Sequence, residues 1–90
     1  MKYQVSPSQK AVKAMERLDR QTLKRVQARI DKLAVNPLDP RISKQLEMAP
    51  DRRYARVGDW RIIFAVNEEE HVLEIAAVRH RSQVYKKLSE

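Results

Sequence analysis

The apolar positions keep two different periods, and the change between them divides the chain. Leu23, Val26, Ile30 and Leu33 recur at spacings of three, four and three, the stripe of an amphipathic helix. Ala11, Met15 and Leu18, spaced four and three, give a shorter stripe before it. Past residue 52 the period shortens. Arg53 to Val57 alternates weakly, and Trp60 to Val66 and Val72 to Val78 are runs of β-branched and aromatic residues that read as strands. Tyr3-Gln4-Val5 is a further short strand candidate.

Punctuation residues set the boundaries. Ser6-Pro7-Ser8-Gln9 reads as a capping box, with Ser6 as N-cap, Pro7 at the first helical position and Gln9 reaching back, which predicts a first helix over about residues 7–18. Asp19 caps a second helix that runs to about Ala34 and stops at Asn36-Pro37. Two stripes joined by so short a break predict an antiparallel helical hairpin. Asn36-Pro37-Leu38-Asp39-Pro40 reads as a rigid loop and residues 41–51 as irregular, with Leu46 and Met48 as anchors to the core. Gly58-Asp59 and Asn67 to His71 supply the turns of an antiparallel meander, and Val84 to Leu88 a short C-terminal helix. The expected fold is α+β, in the order β-α-α-β-β-β-α: a helical hairpin on one face of a small, mainly antiparallel sheet. The other face is left for polar side chains. Residues 1–90 are expected to form one domain, because a chain this short supports one core.

Charge changes this picture from a generic domain to one with a polyanionic partner. Nineteen Lys and Arg against twelve Asp and Glu give a formal net charge of +7. Excess lysine for solubility is the alternative, so arrangement must decide. No cysteine is present, so thiolate zinc sites, disulfides and cysteine nucleophiles are excluded. No apolar run approaches the length of a spanning helix, and the N-terminus lacks a signal-peptide core, which predicts a soluble cytoplasmic protein with no membrane partner.

Lys10, Lys13, Arg17, Lys24, Arg25, Arg29 and Lys32 fall on the outer helix surfaces and read as solvated charge. The strand region differs, because it concentrates Arg52, Arg53, Tyr54, Arg56, Trp60, Arg61, Arg79, His80, Arg81 and Tyr85. Arginine there suits bidentate phosphate contacts and stacking on bases. Arg61 interrupts the apolar run Trp60 to Phe64; it either grips phosphate on the open face or pairs with a carboxylate such as Glu74 across the sheet. His80, between two arginines, belongs to the residue class that exchanges protons near neutrality, or is a strand-end histidine without a role. Tyr85 either stacks on a base or docks the terminal helix. Tyr54 and Trp60 read first as core or turn-packing residues, and His71 as plain surface. No Walker loop, zincin motif, serine elbow or dinucleotide turn occurs, and no metal or cofactor is expected.

Tyr54-Ala55-Arg56-Val57-Gly58-Asp59-Trp60-Arg61-Ile62-Ile63-Phe64, followed by Val78-Arg79-His80-Arg81 and Val84-Tyr85, closely resembles the RelE-type toxins of the RelE/ParE superfamily. The helical hairpin and its Asn36-Pro37 exit extend the resemblance over nearly the whole chain. It implies a toxin of a type II toxin–antitoxin pair that cleaves mRNA in the ribosomal A site, without metal, by 2′-OH attack. Arg61, His80, Tyr85 and either Arg79 or Arg81 would then be catalytic, with Arg81 placed in that set and Arg79 among the RNA-binding residues beside Arg53, Tyr54 and Arg56. Tyr54 stands where the family pattern has a second hairpin cation. The implied partner is an acidic RelB-like antitoxin. The alternatives are a ParE-like gyrase poison of the same fold, and an RNA-binding module whose arginines only hold phosphates.

Overall fold

Ser8, not Ser6, caps the first helix. In the computed structural model, which describes residues 2–47 and 49–82, the Ser8 hydroxyl accepts from the Ala11 N–H and α1 spans Gln9–Glu16. Ser6 and Pro7 belong instead to strand β1, Gln4–Pro7. Tertiary contacts decide between the two serines. Ser8 donates its backbone N–H to the Ile75 carbonyl at 2.9 Å and its hydroxyl to the Ala76 carbonyl at 2.7 Å, which draws the preceding residues into the sheet. Pro7 is tolerated because β1 is an edge strand.

Asp19 caps α2, Arg20–Val35, by accepting from the Thr22 N–H, and hydrogen bonds from the Thr22 hydroxyl and then from its N–H hold the carboxyl below the usual carboxylate range. Val26, Ile30 and Leu33 of the expected stripe are buried. Helix α1 lies mainly over β5, Val72–His80, while α2 lies over β1 and β3, Ala49–Val57, so both stripes are buried on the sheet. The segment expected to be irregular holds one more strand, β2, Lys44–Leu46. Asp39 sets it up: its carboxylate accepts from the Arg41 N–H and binds the Arg41 guanidinium, and its carbonyl accepts from the Ser43 N–H. Three residues are too few to leave a periodic signal.

With β4, Trp60–Asn67, the strands form one sheet in the order β1-β5-β4-β3-β2. The pairings β5-β4, β4-β3 and β3-β2 are antiparallel and β1-β5 is parallel. The sheet is therefore mixed. Ala76 is the extra residue of a bulge, since Ile63 pairs with Ala77 and Phe64 with Ile75. Ala55, Val57, Ile62, Phe64, Leu73, Ile75 and Val78 face the helices and form the core with Ala11, Val26, Ile30 and Leu33. Full burial of a side chain such as Phe64 or Leu33 contributes about 1.5–3 kcal/mol each.

His71 is not plain surface. It has φ 56° and stacks on Tyr3 with ring centroids 3.8 Å apart, while the Tyr3 hydroxyl donates to the Glu68 carboxylate at 2.9 Å. That carboxylate raises the phenol's pKa, and the clasp fastens the start of β1 to the β4–β5 turn. No described helix is long and apolar enough to cross a membrane. The expected C-terminal helix, with Val84, Tyr85 and Leu88, and the Met48 anchor lie outside the described residues.

Candidate nucleic-acid interface

Strand alternation sorts the arginines onto the two faces of the sheet. Because Ala55 and Val57 point to the core, Tyr54 and Arg56 point to the open face; because Ile62 and Phe64 are buried, Arg61 and Ile63 do the same. Register then brings the charges together. Arg61 is paired with Arg56 on one side and with Arg79 on the other. Arg56, Arg61 and Arg79 thus form a row across the three central strands. Like charges directly opposite one another are destabilising, so such a row costs folding stability.

Tyr54 belongs to this face and not to the core. The Arg61 guanidinium carbon lies 5.2 Å from the centroid of its ring, a cation–π contact that orients the central arginine. Glu74 is not the partner of Arg61: it pairs in register with Ala65 and Ser6, further along the same face. In register, Arg61 is flanked by Arg56 and Arg79.

The remaining candidates separate from the row. Arg53 lies on the helix side of β3, where its Nε donates to the Ser43 hydroxyl at 2.6 Å and its Nη2 to the Ser43 carbonyl at 3.2 Å. Ser43 is buried, so Arg53 ties β3 to the loop before β2 and does not join the open face. His80 is paired with Trp60, with the rings edge to face at 5.3 Å, on the side opposite Arg61 and Arg79. Its Nδ1 accepts from the Ser82 N–H at 3.3 Å and lies 3.0 Å from the Ser82 hydroxyl. Arg81 follows the end of β5 and is held at the β3–β4 turn: its N–H donates to the Asp59 carbonyl at 2.7 Å, and its guanidinium lies 3.8 Å from the Asp59 carboxylate. Of the two late arginines, Arg79 is the one in register with Arg61. Tyr85 lies outside the described residues.

The structure adds cations that the sequence pattern did not single out. A pocket of about 180 Å³ beside the row is lined by Arg29, Arg41, Ile42, Lys44, Tyr54 and Arg56. Arg29 reaches it from α2, Arg41 from the loop and Lys44 from β2, so helix surface, loop and strand edge extend the positive strip past Arg56. Arg25 lies against the β3–β4 turn, with a guanidinium nitrogen 3.2 Å from where a Cβ on Gly58 would sit. No signal for this pocket existed in one dimension, because its members are drawn from three separated segments. Among the described residues no three His, Asp or Glu side chains are grouped to hold a metal ion.

A two-helix layer on one face of a mixed sheet, with an arginine row on the other, defines the class: the small basic toxins of type II toxin–antitoxin systems. Residues 5–85 match the family model of the ParE toxin of the type II toxin–antitoxin system parDE, and the chain belongs to that family, within the RelE/ParE superfamily. Solved structures agree. The toxin–antitoxin complex RelBE2 from Mycobacterium tuberculosis superposes with a TM-score of 0.78 at 27% identity, over 90% of this chain and 100% of that one. The archaeal RelE–RelB complex from Pyrococcus horikoshii superposes with a TM-score of 0.77 at 29% identity, over 92% and 99% of the two chains. Isolated E. coli RelE shares the fold, with a TM-score of 0.77 at 19% identity over 97% and 95%. No curated protein matches the sequence.

Proposed function

We propose that this toxin is an endoribonuclease that cuts mRNA in the ribosomal A site by attack of a 2′-OH on the adjacent phosphate. The observation that supports it best is the row Arg56, Arg61 and Arg79, aligned in register on the open face of the sheet with Arg56 exposed and the other two half-buried. In that attack the 2′-oxygen bonds to phosphorus, negative charge grows on the phosphoryl oxygens, and the 5′-oxygen leaves with a proton. Preorganised guanidinium donors stabilise such charge. Arg61, held by the Tyr54 ring between the other two, is assigned the phosphoryl oxygens of the transition state; Arg56 and Arg79 position the strand. Proton transfer is assigned to Tyr85, and Arg81 to a phosphate beyond the row, while His80, packed on Trp60 on the other side of the sheet, holds the end of β5. An acidic RelB-like antitoxin is the expected partner in the cytoplasm, covering the row when bound.

Because the matching family model is that of the ParE toxin, the second reading is a ParE-like poison of DNA gyrase that uses the same basic face. Incubation with mRNA on programmed ribosomes, followed by mapping of the cut ends, and a parallel gyrase supercoiling assay decide between them. Cleavage that Arg61→Ala abolishes is the expected result. Inhibited supercoiling with intact mRNA would overturn it.

A further inference from the structure

The open face continues past the arginine row into a trough of about 290 Å³ that includes Ser6, Pro7, Arg52, Ala65, Glu74 and Ala76. Its floor is low because Ala65 and Ala76 carry only methyl groups, and Ala76 is the bulge residue that interrupts the pleat. The strand order sets Arg52 on one side of Ala65 and Glu74 on the other. Glu74 is exposed and makes no hydrogen bond or ion pair with any described residue. A carboxylate on the same face as three aligned arginines, and bonded to none of the described residues, is available to a ligand that brings hydrogen-bond donors of its own.

We infer that this trough receives a base of the RNA strand whose phosphate lies on the arginine row, and that Glu74 reads the base's amino edge. The inference rests on the endonuclease reading and adds a specificity-determining residue to it. Four strand positions separate Arg79 from Glu74 once the bulge is discounted, about 13 Å, so one continuous single strand touches both. The two carboxylate oxygens match the parallel N1–H and N2–H donors of guanine. Uracil offers two carbonyl oxygens around a single N–H and is repelled. Arg52, opposite Glu74, supplies a planar cation for the base face or the next phosphate.

The test uses programmed ribosomes carrying mRNAs that differ only by guanine or uracil at one position at a time around the cut. Wild-type toxin is expected to cut the guanine message on the order of tenfold faster at one of these positions. Glu74→Gln, which replaces one acceptor by a donor, is expected to collapse that ratio towards one while the ratios at other positions persist. Glu74→Ala is expected to do the same, and thermal melts of both variants should match wild type because the side chain is exposed. A guanine preference that survives both variants, or no preference in the wild type, overturns this inference and leaves the endonuclease reading intact. Absence of cleavage on every message overturns both.

Discussion

Arg56 and Arg61 are a directly opposed pair on the β3–β4 hairpin, two cations set side by side on the open face of the sheet. Opposed like charges in a sheet cost about 0.2–1 kcal/mol. Arg56→Ala is therefore expected to raise thermal stability by roughly that amount, and the gain should shrink as salt screens the repulsion. The same variant should lower RNA affinity and flatten its salt dependence by about 0.7 in log–log slope, one phosphate contact. Melting curves and anisotropy titrations at several salt concentrations measure both.

Arg61 differs from Arg56 in being held by a ring. Arg61→Ala is expected to reduce single-turnover cleavage by about 10² to 10³ while weakening binding far less, because its contact forms with charge that develops in the transition state. Tyr54→Ala should reproduce part of that loss by releasing the guanidinium, whereas Tyr54→Phe, which keeps the ring, should not.

Gly58 has φ +58°, and the Arg25 guanidinium occupies the space a side chain would enter. Gly58→Ala is expected to cost about 1–2 kcal/mol from the left-handed backbone, with Arg25 moving aside because its far end is flexible. Gly58→Asn should cost less than Gly58→Ala, since asparagine tolerates that region. Denaturant melts rank the three proteins.

Asp19 gives the fold an acid limit. Its pKa in the folded chain is lowered by the Thr22 hydroxyl and then by the Thr22 N–H, so the unfolded chain binds the proton more readily. The stability from this cap is then complete above the unfolded value of about 3.9 and is lost as pH falls through the lower folded value. Wild type and Asp19→Ala are expected to differ in melting temperature at neutral pH and to converge in strong acid.

Most of the scaffold was legible because amphipathic spacing survives in one dimension: the Val26, Ile30 and Leu33 stripe and the runs from Trp60 and Val72 became the layers expected of them. Misplacements occurred where a tertiary bond overrode a local one. The local pattern favoured Ser6-Pro7 as the cap, and the bonds from Ser8 to Ile75 and Ala76 place the cap at Ser8 instead. The parallel partnership of β1 leaves no trace in sequence, since its partner lies at residues 72–75. At the site, residue types were readable and their sides were not. A one-residue step separates Arg53 on Ser43 from Tyr54 on Arg61, and Arg79 in the row from His80 on Trp60.

Because residues 4–7 pair with residues 72–75, the sheet closes only after β5 has been made. Loop closure over such a separation is slow, and during synthesis β1 waits unpaired until β5 emerges. Arg79 arrives on that same last strand. A nascent chain that has not yet reached β5 therefore lacks both the edge that locks the scaffold and the third member of its cationic row, so scaffold and row are completed by one and the same strand.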